Sequence, residues 1–230
     1  MTQRILQGEP EIALTLRRSA RARRITLRIS QLDGRVTLTL PHAVSEREAL
    51  AFAQQKRRWI EGHLEKQVDS VVVAPGACLP VQGTEVDVRL GAGRAVRLAD
   101  GILWVPGAAD TTGRRVLGYL KAQARARLAA ASDHYAGRLG RAYTGLSTRD
   151  TRSRWGSCSS AGRLMYSWRL IMAPPEVLDY VAAHEVAHLS QMNHSPAFWA
   201  EVTRIHGPYA APRQWLRDHG HMLHRYRFGD

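Results

Sequence analysis

The chain has 230 residues and a mass of 25.7 kDa, with 44% hydrophobic and 23% charged residues; this is enough for one ordinary domain or two small ones and excludes disordered, collagen-like and membrane-spanning classes. Thirty-three Lys and Arg against twenty Asp and Glu leave a net charge of +13, which favours anionic partners such as nucleotides, nucleic acid or acidic membrane surfaces, although lysine stands only at Lys56, Lys66 and Lys121 and an arginine surplus also follows from GC-rich coding. Two cysteines, Cys78 and Cys158, exclude a disulfide framework or a four-thiolate zinc site, and the opening MTQRILQGEPEIAL lacks the apolar run of a secretory signal, so a cytoplasmic protein is expected.

Residues 12–19, 23–30 and 35–41 alternate apolar and polar side chains with period two, and Asp33-Gly34 is a hairpin turn signal; three antiparallel strands are expected. Ser45 then caps a helix running to about Gln67, with Leu50, Phe52, Trp59, Ile60 and Leu64 on one buried stripe. The segment VVVAPGA, residues 71–77, reads as a linker apolar enough to pack, and residues 84–90, 95–99 and 102–106 read as hairpin strands. From about Thr112 to Gly140 the spacing becomes three and four, through Val116, Leu117, Leu120, Ala124, Leu128, Ala131, Tyr135 and Leu139, which predicts one long helix. Polar strand-like chain at 147–157 leads through a turn at 159–162 into residues 163–171, a predicted hairpin. Pro174 and Pro175 then occupy the first turn of another helix, where a missing N–H costs little. No repeat of solenoid period is present. The expected fold class is α+β, with a β-rich region carrying one helix over residues 1–110 and a second domain over residues 111–230.

The helix opened by Pro174 contains His184-Glu185-Val186-Ala187-His188, the His-Glu-x-x-His pattern of zinc-dependent hydrolases. Four residues advance a helix by about 400°, so both imidazoles project from nearly one face and reach one metal ion. Glu185, beside them but not coordinating, is placed to take a proton from a metal-bound water. His194, ten residues after His184, completes a three-His site that leaves the fourth zinc position open. To bring it there the helix must end near Ser190 and the chain must turn back, with Asn193 available for a left-handed turn and Ser195-Pro196 as N-cap and first residue of the next helix.

The run RWGSCSSAGRLMYSWRLIMAPPEVLDYVAAHEVAHLSQMNHSPAFW, residues 154–199, resembles the signature of the YgjP-like zinc metallopeptidase family, related to the WLM and SprT-like proteases. RRSARARRITLRIS, GRVTLTLP and the helix containing KRRWI are similar to that family's N-terminal region. The resemblance implies a small zincin-like metallopeptidase domain built on the His-Glu-x-x-His helix, with His184, His188 and His194 as Zn2+ ligands, Glu185 as catalytic base and a peptide or protein substrate. Gln191 stands where metzincins place glycine, which disfavours that variant, and Glu201 is the nearest counterpart of a downstream glutamate ligand.

Around this centre, Trp155, Trp168 and Leu170 are expected in the core, Cys158 as an inert thiol, and Phe198 and Trp199 packing against the zinc-binding helix. His206, Tyr209 and Tyr166 are nominees for stabilising an oxyanion, and His219, His221 and His224 for a solvated tail. Two other functions compete with peptide cleavage. A metal-dependent nucleoside triphosphate pyrophosphatase could hold phosphates with Arg17, Arg18, Arg21, Arg23 and Arg24, unless these guard a strand edge; a DNA-associated protease or nucleic-acid-binding protein would use the net charge. No membrane partner is expected, and the sequence leaves oligomeric state open.

Overall fold

A computed structural model of the chain describes residues 2–30, 34–64 and 69–229. It divides into two compact units, Met1–Asp69 and Ser70–Asp230, each with its own apolar core. The sequence boundary at 110 marks the change from strand-rich to helix-rich chain. The compact units part at 69–70 instead, because Val86, Val88, Leu103 and Val105 share one core with the long helix that follows them.

In the first unit, β1 (Thr2–Leu6), β2 (Ile12–Arg18), β3 (Thr26–Ile29) and β4 (Val36–Leu40) form a sheet in the order β1-β2-β4-β3. The expected three-stranded antiparallel meander is corrected. β2 lies parallel to β4, with Leu14 opposite Val36, and β3 is antiparallel to β4 on the outer edge. Burial explains the order: Ile12, Leu14 and Leu16 on β2 and Val36, Leu38 and Leu40 on β4 are buried, whereas β3 buries no side chain fully, so the two most apolar strands take the centre. Asp33 of the expected turn lies outside the described residues.

Ser45 caps α1 (Glu46–Gln55) through a reciprocal pair in which Ser45 Oγ accepts the Glu48 N–H and Glu48 accepts the Ser45 N–H. The predicted single helix is two, since α2 (Arg57–Leu64) starts afresh after Lys56; residues 65–68 lie outside the described residues. Ala49, Ala53 and Ile60 face the sheet, while Trp59 is exposed and its ring lies against His63, so it leaves the expected stripe.

The second unit begins with β5 (Val71–Val72), and Val73 beside it is buried, so the 71–77 segment packs. β6 (Cys78–Val81), β7 (Thr84–Leu90), β8 (Arg97–Ala99) and β9 (Ile102–Val105) form a sheet in the order β6-β7-β9-β8, with β7 and β9 parallel. That is the arrangement of the first sheet, two hairpins joined along a parallel seam. The long helix, α3 (Thr112–Leu139), buries Val116, Leu120, Ala124, Leu128 and Tyr135 along one side. It stops at Gly140, whose φ of 75° is the left-handed conformation glycine adopts without strain.

Three further strands make a small sheet. β10 (Gly145–Arg149) runs parallel to β12 (Arg163–Ser167), and β11 (Gly156–Cys158) pairs antiparallel on its other side, so that β12 is central and β10 and β11 are the two edges. The predicted strand ends at Ser167, because Trp168–Met172 turns into a fully buried 3-10 helix. α4 (Pro175–Ala187), α5 (Pro196–His206) and α6 (Ala210–His219) follow, and β13 (Tyr226–Arg227) pairs with β5. Among the described residues no helix is long and apolar enough to cross a membrane. The outcome is a mixed α/β protein, strand-rich first and helical afterwards, compatible with a zincin-like domain.

Candidate metal centre

Pro174 and Pro175 start α4 where an N–H would have no partner, and the helix ends at Ala187 with His188 as its C-cap. Its interior is almost wholly buried, through Val177, Leu178, Val181, Ala182, Ala183 and Val186, which fixes the direction of the side chains at 184, 185 and 188. The chain then turns back through residues 188–195. Asn193 makes this turn with its side chain, Oδ1 accepting the Ser195 N–H at 3.1 Å; it has no left-handed backbone, contrary to expectation, because the amide side chain does the work that positive φ would have done. Ser195 then caps α5, its Oγ accepting the Phe198 N–H.

His184, His188 and His194 converge, with one ring nitrogen from each within 4.8 Å of the others. The Nε2 atoms of His184 and His194 are 3.1 Å apart. The Gln191 carbonyl lies 2.9 Å from His188 Nδ1, and a proton held there leaves Nε2 of that ring free to bind a metal. Phe198, fully buried, is the common floor: its ring centre is 4.9 Å from that of His184, 4.4 Å from His188 and 4.8 Å from His194. Burial, reinforced by His188, His194 and Arg213, pushes the His184 imidazole down to about 3. Burial likewise lowers His188. Neutral imidazoles with converging lone pairs form a donor set that suits a divalent ion.

Glu185 is buried, and burial pushes its carboxyl up to about 8 against the opposing pull of Arg154 and the Cys158 N–H. Gly156 of β11 lies so close that a Cβ there would come within 2.5 Å of Glu185 Cγ. Sequence reasoning missed Gly156 and Arg154 as neighbours of Glu185; both stand in the RWGSC run, but no periodicity or spacing points from there to the helix.

Other expectations sort cleanly. Trp168 and Leu170 are core. Cys158 is half-buried with its thiol pushed up to about 11 by burial, and donates to the Ser159 carbonyl. Glu201 is paired with Arg204 at 2.7 Å, outside the imidazole cluster. Among the oxyanion nominees, Tyr166 is fully buried with its hydroxyl 3.0 Å from Ser132 Oγ, which removes it from any cleft. Tyr209 stacks on Trp199 at 5.0 Å, and His206 packs on Tyr135 and Tyr180. The expected solvated C-terminal histidines are corrected at His224, which is buried against Trp155 and pushed down to about 4, chiefly by burial. The arginines at 17 and 18 end β2, an inner strand, so they guard no edge; Arg18 donates to the carbonyls of Pro41, His42 and Val44.

No curated protein matches the chain. The solved zymogen structure of the Pyrococcus abyssi metallopeptidase abylysin matches at 22% identity and a TM-score of 0.36, over 40% of this chain and 92% of that one. A family model described as YgjP-like, metallopeptidase domain, matches residues 23–219. That span takes in both units and the whole imidazole cluster, and the chain belongs to the YgjP-like metallopeptidase family, whose members are hydrolytic metalloenzymes.

Proposed function

We propose that the chain is a zinc-dependent peptidase in which His184, His188 and His194 hold the ion and Glu185 is the general base. The observation that carries the reading is the meeting of three imidazole nitrogens at the end of α4 with a buried carboxylate one residue from the first. The donor set fits zinc, which leaves one tetrahedral position open beside three histidines. When bound, the ion supplies Lewis acidity, polarising the scissile carbonyl and acidifying water.

The residues of the chain do the rest. Glu185, pressed against Gly156, takes the proton of the attacking water and returns it to the leaving amine. Burial alone favours its neutral form, and a divalent charge held by the adjacent imidazoles favours the carboxylate needed of a base. β11, one of the two outer strands of its sheet and the one in contact with Glu185 through Gly156, offers an edge along which an extended peptide can add as a further strand.

Metal analysis of the purified chain is expected to find about one zinc per molecule, and His194→Ala to lose most of it. Glu185→Gln should keep the zinc and lose a factor of about 10² to 10⁴ in turnover of a peptide library. Undiminished turnover in Glu185→Gln removes the mechanism. Products identified from nucleoside triphosphates, with none from peptides, would assign the centre to phosphoanhydride hydrolysis instead.

A further inference from the structure

Beside the imidazole cluster, on its α6 side, lies a cleft of about 470 Å³ walled by the 208–210 segment, Thr203, Arg213, Gln214 and Arg217. Arg213 and Arg217 are one helical turn apart on α6, so both guanidiniums project to the same side. Neither has a carboxylate partner among the described residues, whereas the neighbouring Gln214 is tied to Asp218 at 3.0 Å. Arg213 is half-buried and lies over Trp199, its Cζ 4.6 Å from the ring centre. That stacking fixes the guanidinium in place without neutralising it. Arg217 is exposed and has no such contact, so packing accounts for the first arginine and not for the second.

The cleft is linked to the metal centre through Trp199. Tyr209 stacks on Trp199, and the Trp199 ring is 5.6 Å from His184 and 5.8 Å from His194. Arg213 therefore stands one aromatic ring from His184 and His194, and Arg217 follows it one helical turn along the same wall. Such a concentration of positive charge is relieved by an anion.

We propose that this cleft is a substrate subsite for an acidic residue of the peptide, whose carboxylate is held by Arg213 and Arg217; the assignment rests on the peptidase reading of the adjacent centre. The rest of the wall is proline, alanine, tyrosine, a threonine and Gln214, whose amide N–H is already taken by Asp218. Two guanidiniums set in such a wall match one carboxylate on a methylene stem, bound by charge-assisted hydrogen bonds. A polyphosphate, with several charges along its length, needs more donors than this wall provides. Specificity then resides in α6, and the chemistry in α4.

The test is a binding measurement on full-length, zinc-loaded Glu185→Gln. The probes are fluorescein-labelled octapeptides of alanine and glycine with a single Glu moved along the chain, against matched peptides with Gln. The best-placed Glu peptide is expected to bind about tenfold tighter than its Gln twin. Arg217→Gln, at an exposed position, should remove a substantial part of that preference, and Arg213→Gln/Arg217→Gln all of it, with zinc content and circular dichroism unchanged. Equal binding of Glu and Gln peptides, or a preference that survives the double substitution, overturns the subsite. So does a double variant that loses affinity for tripolyphosphate but keeps it for the Glu peptides. Cleavage of neutral peptides by the wild-type enzyme is scored separately, so cleavage without acidic preference retires the subsite alone, and acidic preference without any cleavage retires the peptidase reading alone.

Discussion

Gly156 shows how much a missing side chain can do. Its Cα lies against the carboxylate arm of Glu185, and a methyl group there would sit 2.6 Å from Glu185 Oε1. The contact closes one side of the carboxylate. Gly156→Ala must push Glu185 aside, because β11 is held by its ladder to β12 and the helix behind Glu185 is packed. Turnover is expected to fall at least about tenfold, since small displacements of a catalytic group are costly, while zinc content stays at the wild-type level because none of the three imidazoles is touched. Parallel metal analysis and peptide hydrolysis of this variant check it, and a loss of zinc equal to the loss of turnover would contradict the separation of roles.

At the scale of elements, the centre depends on where α4 stops and α5 starts. His188 is the C-cap of one helix and His194 immediately precedes the N-cap of the next, so two of the three imidazoles belong to helix ends. Ser195→Ala removes the cap of α5 and is expected to cost about 1 kcal/mol of stability. It also loosens the backbone that carries His194, so zinc affinity should fall in the same variant; chelator competition against the wild type measures it. The pattern at 184–188 and the Ser195-Pro196 start were legible because helical period and capping are local rules that act within four residues. The pairing of β2 with β4 was not legible. Alternation names the buried face of a strand but not its neighbour, and the order is settled by which strands bury most apolar side chains, a competition across the whole sheet. Asn193 was read for its backbone and acts through its side chain, two devices that a sequence does not distinguish. The cleft on α6 was not legible for a related reason: in sequence Arg213 and Arg217 are ordinary helix surface, and only the fold brings Trp199, from another helix, beneath one of them.

For the molecule as a whole, the second unit is closed by polar groups drawn from distant parts of the chain. Arg169, buried in the 3-10 turn after β12, pairs with both carboxylate oxygens of Asp150, at 2.7 and 3.1 Å, and donates to the carbonyl of Leu223 at 2.8 Å. His224 is buried in the same network, with Arg169, Asp150, Arg152 and Arg227 as its charged neighbours. Its imidazole titrates at about 4 in the folded protein, below its ordinary 6.5, chiefly because burial penalises the cation. The unfolded chain therefore binds the extra proton first, and the stability contributed by neutral His224 is complete above about pH 6.5 and is lost as pH falls towards 4. In urea titrations of chelator-treated protein, the wild type is expected to lose about 2 kcal/mol more than His224→Gln between pH 7 and 4.5. Equal losses in the two proteins would show that this histidine does not govern the acid response.

The pairing of β5 with β13 has a consequence for how the protein comes into being. Val71 and Val72, the first strand of the second unit, wait for Tyr226 and Arg227 before their ladder can form. During synthesis at the ribosome His184, His188 and His194 emerge earlier than the segment that fastens the unit shut. The second unit is thus held unfinished until residues 226–227 have been made, and a ribosome stalled before that segment would release a product without its clasp.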